Sequence, residues 1–224
     1  MKKRIVAART PRWKRKAGER PEALFHAALH AFAQHGYRAT RLEDVATEAG
    51  VSKGTVYRYF QGKEDLLEKS LEYRRKLLFS AAEVALEEFR GNAAAKLAFF
   101  LERVWSKCLN EDWGRFHKLM YGEIAHELPD LFASWAQQGQ VRAWKLLEGI
   151  IRAGQRTGEF RADADARAIA RLLYSGLTHQ ALLRSHLGFA RFDPLPPDSI
   201  FKSSLELALR GLGVPHTHRK ASKS

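Results

Sequence analysis

Cysteine is nearly absent from this 224-residue chain, which contains only Cys108. A single thiol excludes an intramolecular disulfide and is typical of a protein from a reducing cytosol. Long apolar runs are also missing, since no stretch reaches the ~18–20 residues that a membrane-spanning helix needs. The basic N-terminus lacks the continuous apolar segment of a secretory signal. We therefore expect a cytoplasmic protein with no membrane partner.

Patterns for catalysis or metal binding are missing as well. The chain has no phosphate-cradling glycine loop, no Cys/His cluster and no paired-carboxylate motif. Nothing assembles a nucleophile, a base and an oxyanion site. Cys108 is solitary, and His117 and Glu123 do not share a helical contact spacing. We expect no enzyme activity, no metal and no other cofactor.

Positive charge, in contrast, is in clear excess. The chain contains 38 Lys and Arg residues against 25 Asp and Glu residues, a net charge of +13. Residues 1–76 carry +9 of this charge and residues 77–224 carry +4. Such a balance indicates a polyanionic partner, either nucleic acid or an anionic membrane surface. Hydrophobic residues form 45% of the chain, which supports a folded core.

Apolar periodicity predicts an all-α fold of about nine helices, since no alternating strand pattern is found. We place one helix between an opening at Thr40 and the turn at Gly50, and others at about 21–35, 53–59, 64–90, 93–110, 113–126, 130–156, 163–186 and 198–211. The predicted domains are a basic flexible arm (1–18), a three-helix DNA-binding domain (19–79), a larger helical domain (80–211) and a flexible tail (212–224). The arm is either a solvated tail or a contact to phosphates or the minor groove.

The stretch from Thr40 to Lys63 has the layout of a helix-turn-helix, at about residues 42–61. Thr40 and Glu43 match the T-x-x-E capping box, which opens a helix. Gly50 permits a sharp turn. In the next helix Val56 and Phe60, four residues apart, face inward together. The outer face of that helix is then free to read DNA.

The segment from Ala27 to Leu67, AALHAFAQHGYRATRLEDVATEAGVSKGTVYRYFQGKEDLL, closely resembles the TetR-type helix-turn-helix domain. The matched features are F-x-x-x-G-Y-x-x-T, then V-A-x-x-A-G-V-S-x-G-T-x-Y-x-Y-F, then K-x-x-L. The resemblance covers about residues 19–79. It implies a homodimer that binds a near-palindromic double-stranded operator, usually as a repressor that a ligand in the C-terminal domain releases.

The resemblance also implies roles for individual residues. Base contacts fall on Lys53, Gly54, Thr55 and Tyr57, and phosphate contacts fall on Thr40, Arg58, Tyr59 and Lys63. Arg41 stands where the family often has a small hydroxyl residue, and we expect it to add a phosphate or minor-groove contact. Gly62 stands where Ser or Asn is common, which predicts a weaker cap for the following helix.

The C-terminal half is rich in aromatic residues between about 99 and 144. One interpretation is an aromatic-walled cavity for a small apolar or amphipathic ligand, with Glu123 and His126 as further polar anchors. The alternative is a large aromatic core. The candidate ligand residues are Phe100, Arg103, Trp105, Trp113, Phe116, His117, Met120, Tyr121 and Trp144.

The last two helices are predicted to dimerise as a four-helix interface. The alternative is that their apolar stripes face the subunit's own core. The candidate dimer residues are Ile169, Leu173, Gly176, Leu177, Ala181, Phe201, Leu205 and Leu209.

Together these features predict a cytoplasmic, nucleoid-associated, homodimeric repressor that a small ligand releases from its operator. The alternative is a ligand-independent nucleoid-associated or cell-division DNA-binding protein on the same fold. The extra basic arm favours that alternative.

Overall fold

The structure is a computed structural model and describes residues 20–192 and 194–213. All the regular secondary structure in this part of the chain is helical, which confirms the all-α class. The predicted arm (1–18) and residues 214–224 of the predicted tail lie outside the described residues. No helix among those described combines the length and the apolar character needed to cross a membrane.

The chain divides into two compact units, the first ending at Tyr73 and the second starting at Arg74. The first unit holds α1 (Arg20–His35), α2 (Leu42–Glu48), α3 (Lys53–Tyr59) and the start of α4 (Lys63–Glu88). The second unit holds the rest of α4, then α5 (Ala93–Cys108), α6 (Glu111–Leu119), α7 (Ala125–Glu127), α8 (Pro129–Gln138), α9 (Gln140–Arg156), α10 (Ala166–Ala181) and α11 (Pro197–Gly211). π-Helical turns follow α6 (Met120–Ile124) and α10 (Leu182–His186), and a short 3₁₀ turn spans Phe189–Arg191.

The first unit is built around α1. Leu24, Ala28 and Phe32 recur every four residues and are fully buried, so one face of α1 forms the core. Gly36 ends the helix with a φ of 85°, a left-handed conformation that glycine adopts without strain. Val45 of α2 and Val56 of α3 close the same core.

The start of α2 differs from the predicted capping box. The capping residue is Arg41, one residue after Thr40, and the Asp44 carboxylate accepts a hydrogen bond of 3.0 Å from the Arg41 amide. Thr40 turns inward instead, and its hydroxyl donates to the Gly36 carbonyl at 2.7 Å and to the Ala31 carbonyl at 3.2 Å. Thr40 therefore connects the start of α2 to the end of α1, because its hydroxyl bonds to these two carbonyls and not to the first turn of α2.

The second unit packs α5, α9, α10 and α11 around one core. Leu97, Leu101, Leu147, Ile151 and Ala170 are fully buried within it. Gly154 of α9 lets this packing happen, since a Cβ there would lie 2.8 Å from the Ala93 Cβ and would collide with the Phe160 ring.

Two boundaries in this unit correct the sequence-based prediction. The predicted helix 130–156 is two helices, α8 and α9, separated at Gly139. A Cβ at Gly139 would lie 2.9 Å from the Trp135 carbonyl oxygen, so this tight break requires glycine. The predicted tail starts too early, because Leu212 is fully buried and its carbonyl accepts from the Arg161 amide at 2.9 Å.

Candidate functional site

The turn between α2 and α3 sets the position of α3. Gly50 has a φ of 65°, and the Val51 amide donates to the Ala46 carbonyl at 2.9 Å, so the chain reverses within a few residues. Ser52 then caps α3, because its hydroxyl accepts from the Thr55 amide at 3.2 Å. Val56 and Phe60 are buried, which anchors one side of α3 and fixes which side faces out.

The outer side of α3 carries exposed basic and aromatic groups. Lys53, Tyr57, Arg58 and Tyr59 are all exposed, and Tyr57 leaves 50% of its surface accessible. The Lys53 ammonium lies 5.6 Å from the Tyr57 ring centre, and the Arg58 guanidinium lies 5.0 Å from that of Tyr59. These cation–π contacts hold the cations at the surface of the helix.

Lys53 also forms an ion pair with Glu43 of α2. The Glu43 carboxylate accepts a hydrogen bond from Lys53, which raises the pKa of Lys53 and lowers the pKa of Glu43. Lys53 is therefore charged at neutral pH, and Glu43 competes with any anion that Lys53 contacts.

Gly54 lies open on the same face. A Cβ at this position would meet only the Ser52 hydroxyl oxygen, at 3.9 Å, which is an ordinary contact. The fold therefore does not require glycine at position 54. The missing side chain instead leaves the backbone of α3 open to close approach from outside.

The predicted hydroxyl contacts fall in different places. Thr55 is half-buried, and its hydroxyl shares a 2.9 Å hydrogen bond with Ser52 at the start of α3. Thr40 is only 2% exposed and uses its hydroxyl inside the first unit, so a phosphate contact from that side chain is not compatible with this geometry. Arg41, its neighbour, is exposed.

Lys63 has a structural role that the sequence did not indicate. Its ammonium donates to the carbonyls of Tyr37 at 2.7 Å and Arg38 at 3.2 Å, and lies 4.4 Å from the Tyr37 ring centre. An ammonium has three donors, so one remains for a phosphate. Gly62 has no side chain to cap α4, and Asp65 in the first turn instead accepts from the Gln61 amide at 2.9 Å, which ties the preceding loop to the start of the helix.

In the second unit, six ring-bearing side chains form a connected group that we call the aromatic cluster. The His117 ring stacks 3.7 Å from Trp113, and Trp135 lies within 6.0 Å of Phe116, His117 and Tyr121. The members are Trp113, Phe116, His117, Tyr121, Phe132 and Trp135. The π-helical turn Met120–Ile124 begins directly after α6 at this cluster, and π-bulges frequently occur at functional sites.

His117 is the polar group at the centre of the aromatic cluster. Burial lowers its pKa to about 4, and the positive charge of Arg74 acts in the same direction. Its Nδ1 lies 2.8 Å from the Trp113 carbonyl, so the neutral ring donates there and leaves Nε2 as an acceptor. Arg74 packs its guanidinium 4.1 Å from the Phe116 ring centre, and burial lowers its pKa to about 10.

Two members of the cluster and one of its neighbours were not singled out from the sequence as ligand residues. Phe132 and Trp135 belong to α8, and His186 packs against Trp113 with ring centres 5.8 Å apart. A Cβ at Gly114 would collide with the His186 imidazole, so that glycine admits the ring. The signal available in the sequence was the aromatic spacing of α8, Phe132 and Trp135, at helical contact distance.

The other predicted ligand residues lie elsewhere. Phe100 and Trp105 are buried in the core, where Trp105 stacks on Phe201 with ring centres 6.4 Å apart, and Met120 is fully buried. Arg103 is exposed and lies 5.4 Å from the Phe99 ring centre. Trp144 faces Arg171 of α10. The single pocket expected from the sequence is therefore not formed by this full set.

The predicted dimer residues are also divided. Leu177 and Ala181 are buried in the core of the second unit, so these two side chains do not face a partner. Ile169, Leu173, Phe201, Leu205 and Leu209 are partly buried against that core, and Gly176 is exposed. The most exposed apolar side chains on these helices are Leu172 at 73% and Leu207 at 71%.

No group of three or more His, Cys, Asp or Glu side chains in the described part of the chain is arranged to hold a metal ion. Cys108 is buried, and burial raises the pKa of its thiol to about 12.

Known proteins with similar sequences are bacterial transcriptional regulators. The pattern of the bacterial regulatory proteins of the tetR family matches residues 24–69. The transcriptional regulator AcuR of Cereibacter sphaeroides is 30% identical over 185 residues, which cover 78% of this chain and 79% of AcuR. The HTH-type transcriptional repressor KstR2 of Rhodococcus jostii is 26% identical over 205 residues, covering 90% of this chain and 94% of that protein.

The fold is also found among solved structures. FadR of Bacillus subtilis in complex with stearoyl-CoA superposes with a TM-score of 0.67 at 22% identity, covering 85% of this chain and 98% of FadR. At 22% identity, this similarity shows a shared fold alone.

Proposed function

This chain belongs to the tetR family of bacterial regulatory proteins, and from that premise we propose that α3 is the helix that reads its operator. A DNA-binding transcriptional regulator of this family needs one helix exposed to the major groove. The observation that carries the proposal is the outer side of α3, where exposed cations and tyrosines surround an open Gly54 while Val56 and Phe60 anchor the opposite side.

Each group on this surface has a matching partner on DNA. Lys53 suits the acceptor edge of guanine, and Thr55 offers a methyl group to thymine. Tyr57 lies one turn of helix from Lys53 and completes the base-reading set. Arg41, Arg58, Tyr59 and the remaining donor of Lys63 are the proposed phosphate contacts, which position α3 without reading sequence.

The test is the sequence preference of the Thr55→Ala variant. We expect selection from a random DNA pool to give a near-palindromic site for the parent, and the variant to lose about 1–3 kcal/mol of discrimination at one base position per half-site. Thr47→Ala is the matched control, because Thr47 also donates its hydroxyl within its own helix, to the Glu43 carbonyl at 2.9 Å, but lies outside α3. Identical profiles for Thr55→Ala and the parent would contradict the base contact.

The protein acts as a homodimer, and we propose that α10 and α11 form the contact. Leu172 and Leu207 expose large apolar surfaces on these two helices, and Gly176 beside them has open space around its backbone. Burying these two side chains against a partner subunit would remove apolar surface from water, which favours association. Half-sites one turn of DNA apart require a dimer that presents its two copies of α3 about 34–36 Å apart.

We propose that this regulator is a repressor and that a small apolar or amphipathic ligand releases it. The aromatic cluster supplies apolar walls, the hydroxyl of Tyr121 and the free acceptor of neutral His117, which is the composition of a ligand pocket. A relative of the same fold binds stearoyl-CoA, an amphipathic molecule. A ligand that favours the DNA-incompetent arrangement ~100-fold supplies about 2.7 kcal/mol toward release.

Ligand release is tested with stearoyl-CoA as the probe and coenzyme A as the control that lacks the acyl chain. Calorimetry establishes whether the probe binds, and the anisotropy of labelled operator DNA reports release. We expect the Trp135→Ala and Tyr121→Ala variants to weaken both responses. Probe that binds while operator affinity stays unchanged would contradict the switch.

We place the protein in the cytoplasm at the nucleoid, where its operator is, and assign it no catalytic role.

A further inference from the structure

A second concave site lies on the side of the second unit formed by α9 and α10. Its volume is about 270 Å³, slightly below the ~300–1,000 Å³ range of ligand pockets, so it suits a small molecule. Val141 and Trp144 give it an apolar wall, and the Arg171 guanidinium lies 5.2 Å from the centre of the Trp144 ring. None of the side chains in the aromatic cluster lines this cleft.

The cleft is strongly positive. Lys145, Arg152, Arg167 and Arg171 line it together with a single acid, Glu148. Arg152 donates to the Glu148 carboxylate at 2.8 Å, so this acid is already engaged. Among residues 20–192 and 194–213, no carboxylate forms an ion pair with Lys145, Arg167 or Arg171. Four cations therefore line a small volume that holds one carboxylate, and that carboxylate is paired with Arg152.

Trp144 also carries a donor that has no partner among the described residues. Its indole Nε1 is buried, and no acceptor for it is present in the described part of the chain. A buried donor without a partner costs about 1–3 kcal/mol, and an indole N–H can only donate. Apart from Val141 and Glu148, whose carboxylate accepts from Arg152, the remaining groups of the cleft are guanidinium and ammonium donors, so donors outnumber acceptors in this site.

We propose that this cleft binds a small organic oxyanion, a carboxylate or a phosphate carried on a flat apolar body. The oxyanion pairs with Arg167, Arg171 and Lys145, since charge-assisted hydrogen bonds to guanidinium are short and strong. The apolar body lies along the Trp144 ring and Val141. Binding here requires neither DNA nor occupancy of the aromatic cluster.

The test uses 2-naphthoate and 1-naphthyl phosphate as probes, with uncharged 2-naphthamide as the matched control, on the full-length protein without DNA. The chain has five tryptophans, so a ¹⁵N spectrum shows up to five indole signals. Trp144→Phe identifies one of them by its loss. We expect both anions to shift the Trp144 signal and to bind at least tenfold more tightly than the amide.

Variants separate this site from other surfaces. Arg171→Gln should weaken both anions at least fivefold, whereas Arg156→Gln, an exposed arginine of α9 outside the cleft, should leave their affinity unchanged. The Trp105 indole, which is also buried without an acceptor but lies in the core, serves as the internal reference. Equal binding of naphthoate and naphthamide, or shifts at Trp113 and Trp135 instead of Trp144, would overturn the assignment. This comparison in the unchanged protein decides the matter even where a variant fails to fold.

Discussion

Thr40→Val is the substitution that most sharply separates a structural role from a DNA contact. Valine keeps the size and branching of threonine but replaces the hydroxyl that donates to Gly36 at 2.7 Å and Ala31 at 3.2 Å. Net contributions of hydrogen bonds of this kind are about 1 kcal/mol each. Since the hydroxyl has a single hydrogen that the two carbonyls share, we expect the free energy of unfolding to fall by about 1 kcal/mol.

The assay is urea unfolding at a fixed protein concentration, paired with operator affinity at several salt concentrations. Thr47→Val is the control, because it removes a similar hydroxyl bond from an exposed position and should cost less. We expect the salt slope of DNA binding to be unchanged in Thr40→Val. A slope reduced by about 0.9, the value for one lost phosphate contact, with no loss of stability would refute the structural role.

Three further outcomes follow from the same structure. Lys63→Met should lower the free energy of unfolding by about 1.5–3 kcal/mol, because its two charge-assisted hydrogen bonds are lost. It should also reduce the salt dependence of DNA binding by about 0.9, the value for one phosphate contact. A variant that changes neither quantity would contradict both roles given to Lys63. Burial lowers the pKa of His117 from 6.5 to about 4. The free energy of unfolding should therefore be highest above pH 6.5 and should fall as the pH drops from 6.5 toward 4, because the unfolded chain takes up a proton that the folded protein does not. This decrease in the free energy of unfolding amounts to about 3 kcal/mol, as measured by urea unfolding at each pH. The His117→Gln variant should not show this pH dependence. A pH dependence that persists in the variant excludes His117 as its source. Leu172→Glu should convert the dimer to a monomer in sedimentation, and a stable dimer would place the interface elsewhere.

The first unit was largely predictable because its signals are local. The bounds of α3 and the inward direction of Val56 and Phe60 follow from periodicity, and the turn follows from Gly50. The capping of α2 was not predictable in the same way. T-x-x-E and R-x-x-D overlap with an offset of one residue, and the choice depends on carbonyls of α1 that lie close to Thr40 only after folding.

The second unit was predictable in class but not in its sites. Aromatic residues at helical spacing serve equally as core and as pocket, and the sequence does not say which helix each one meets. Trp105 meets α11, Trp113 meets His186, and Trp144 meets Arg171. These partners are distant in sequence, so the division into a core, an aromatic cluster and a basic cleft depends on tertiary packing.

The central claim is that DNA approaches the open face of α3, and Gly54→Leu tests it most directly. Among the described residues, a Cβ there meets only the Ser52 hydroxyl oxygen, at 3.9 Å, and leucine is a better helix former than glycine by about 0.5–1 kcal/mol. Gly149→Leu in α9 is the matched control, because Gly149 is exposed and a Cβ there meets nothing within 4 Å.

The measurement is operator affinity of both variants alongside their free energies of unfolding. We predict that both proteins are at least as stable as the parent, that Gly149→Leu binds the operator normally, and that Gly54→Leu binds at least tenfold more weakly. Operator affinity that survives in Gly54→Leu would contradict the account, because a leucine at the proposed point of closest approach leaves no room for the base edges.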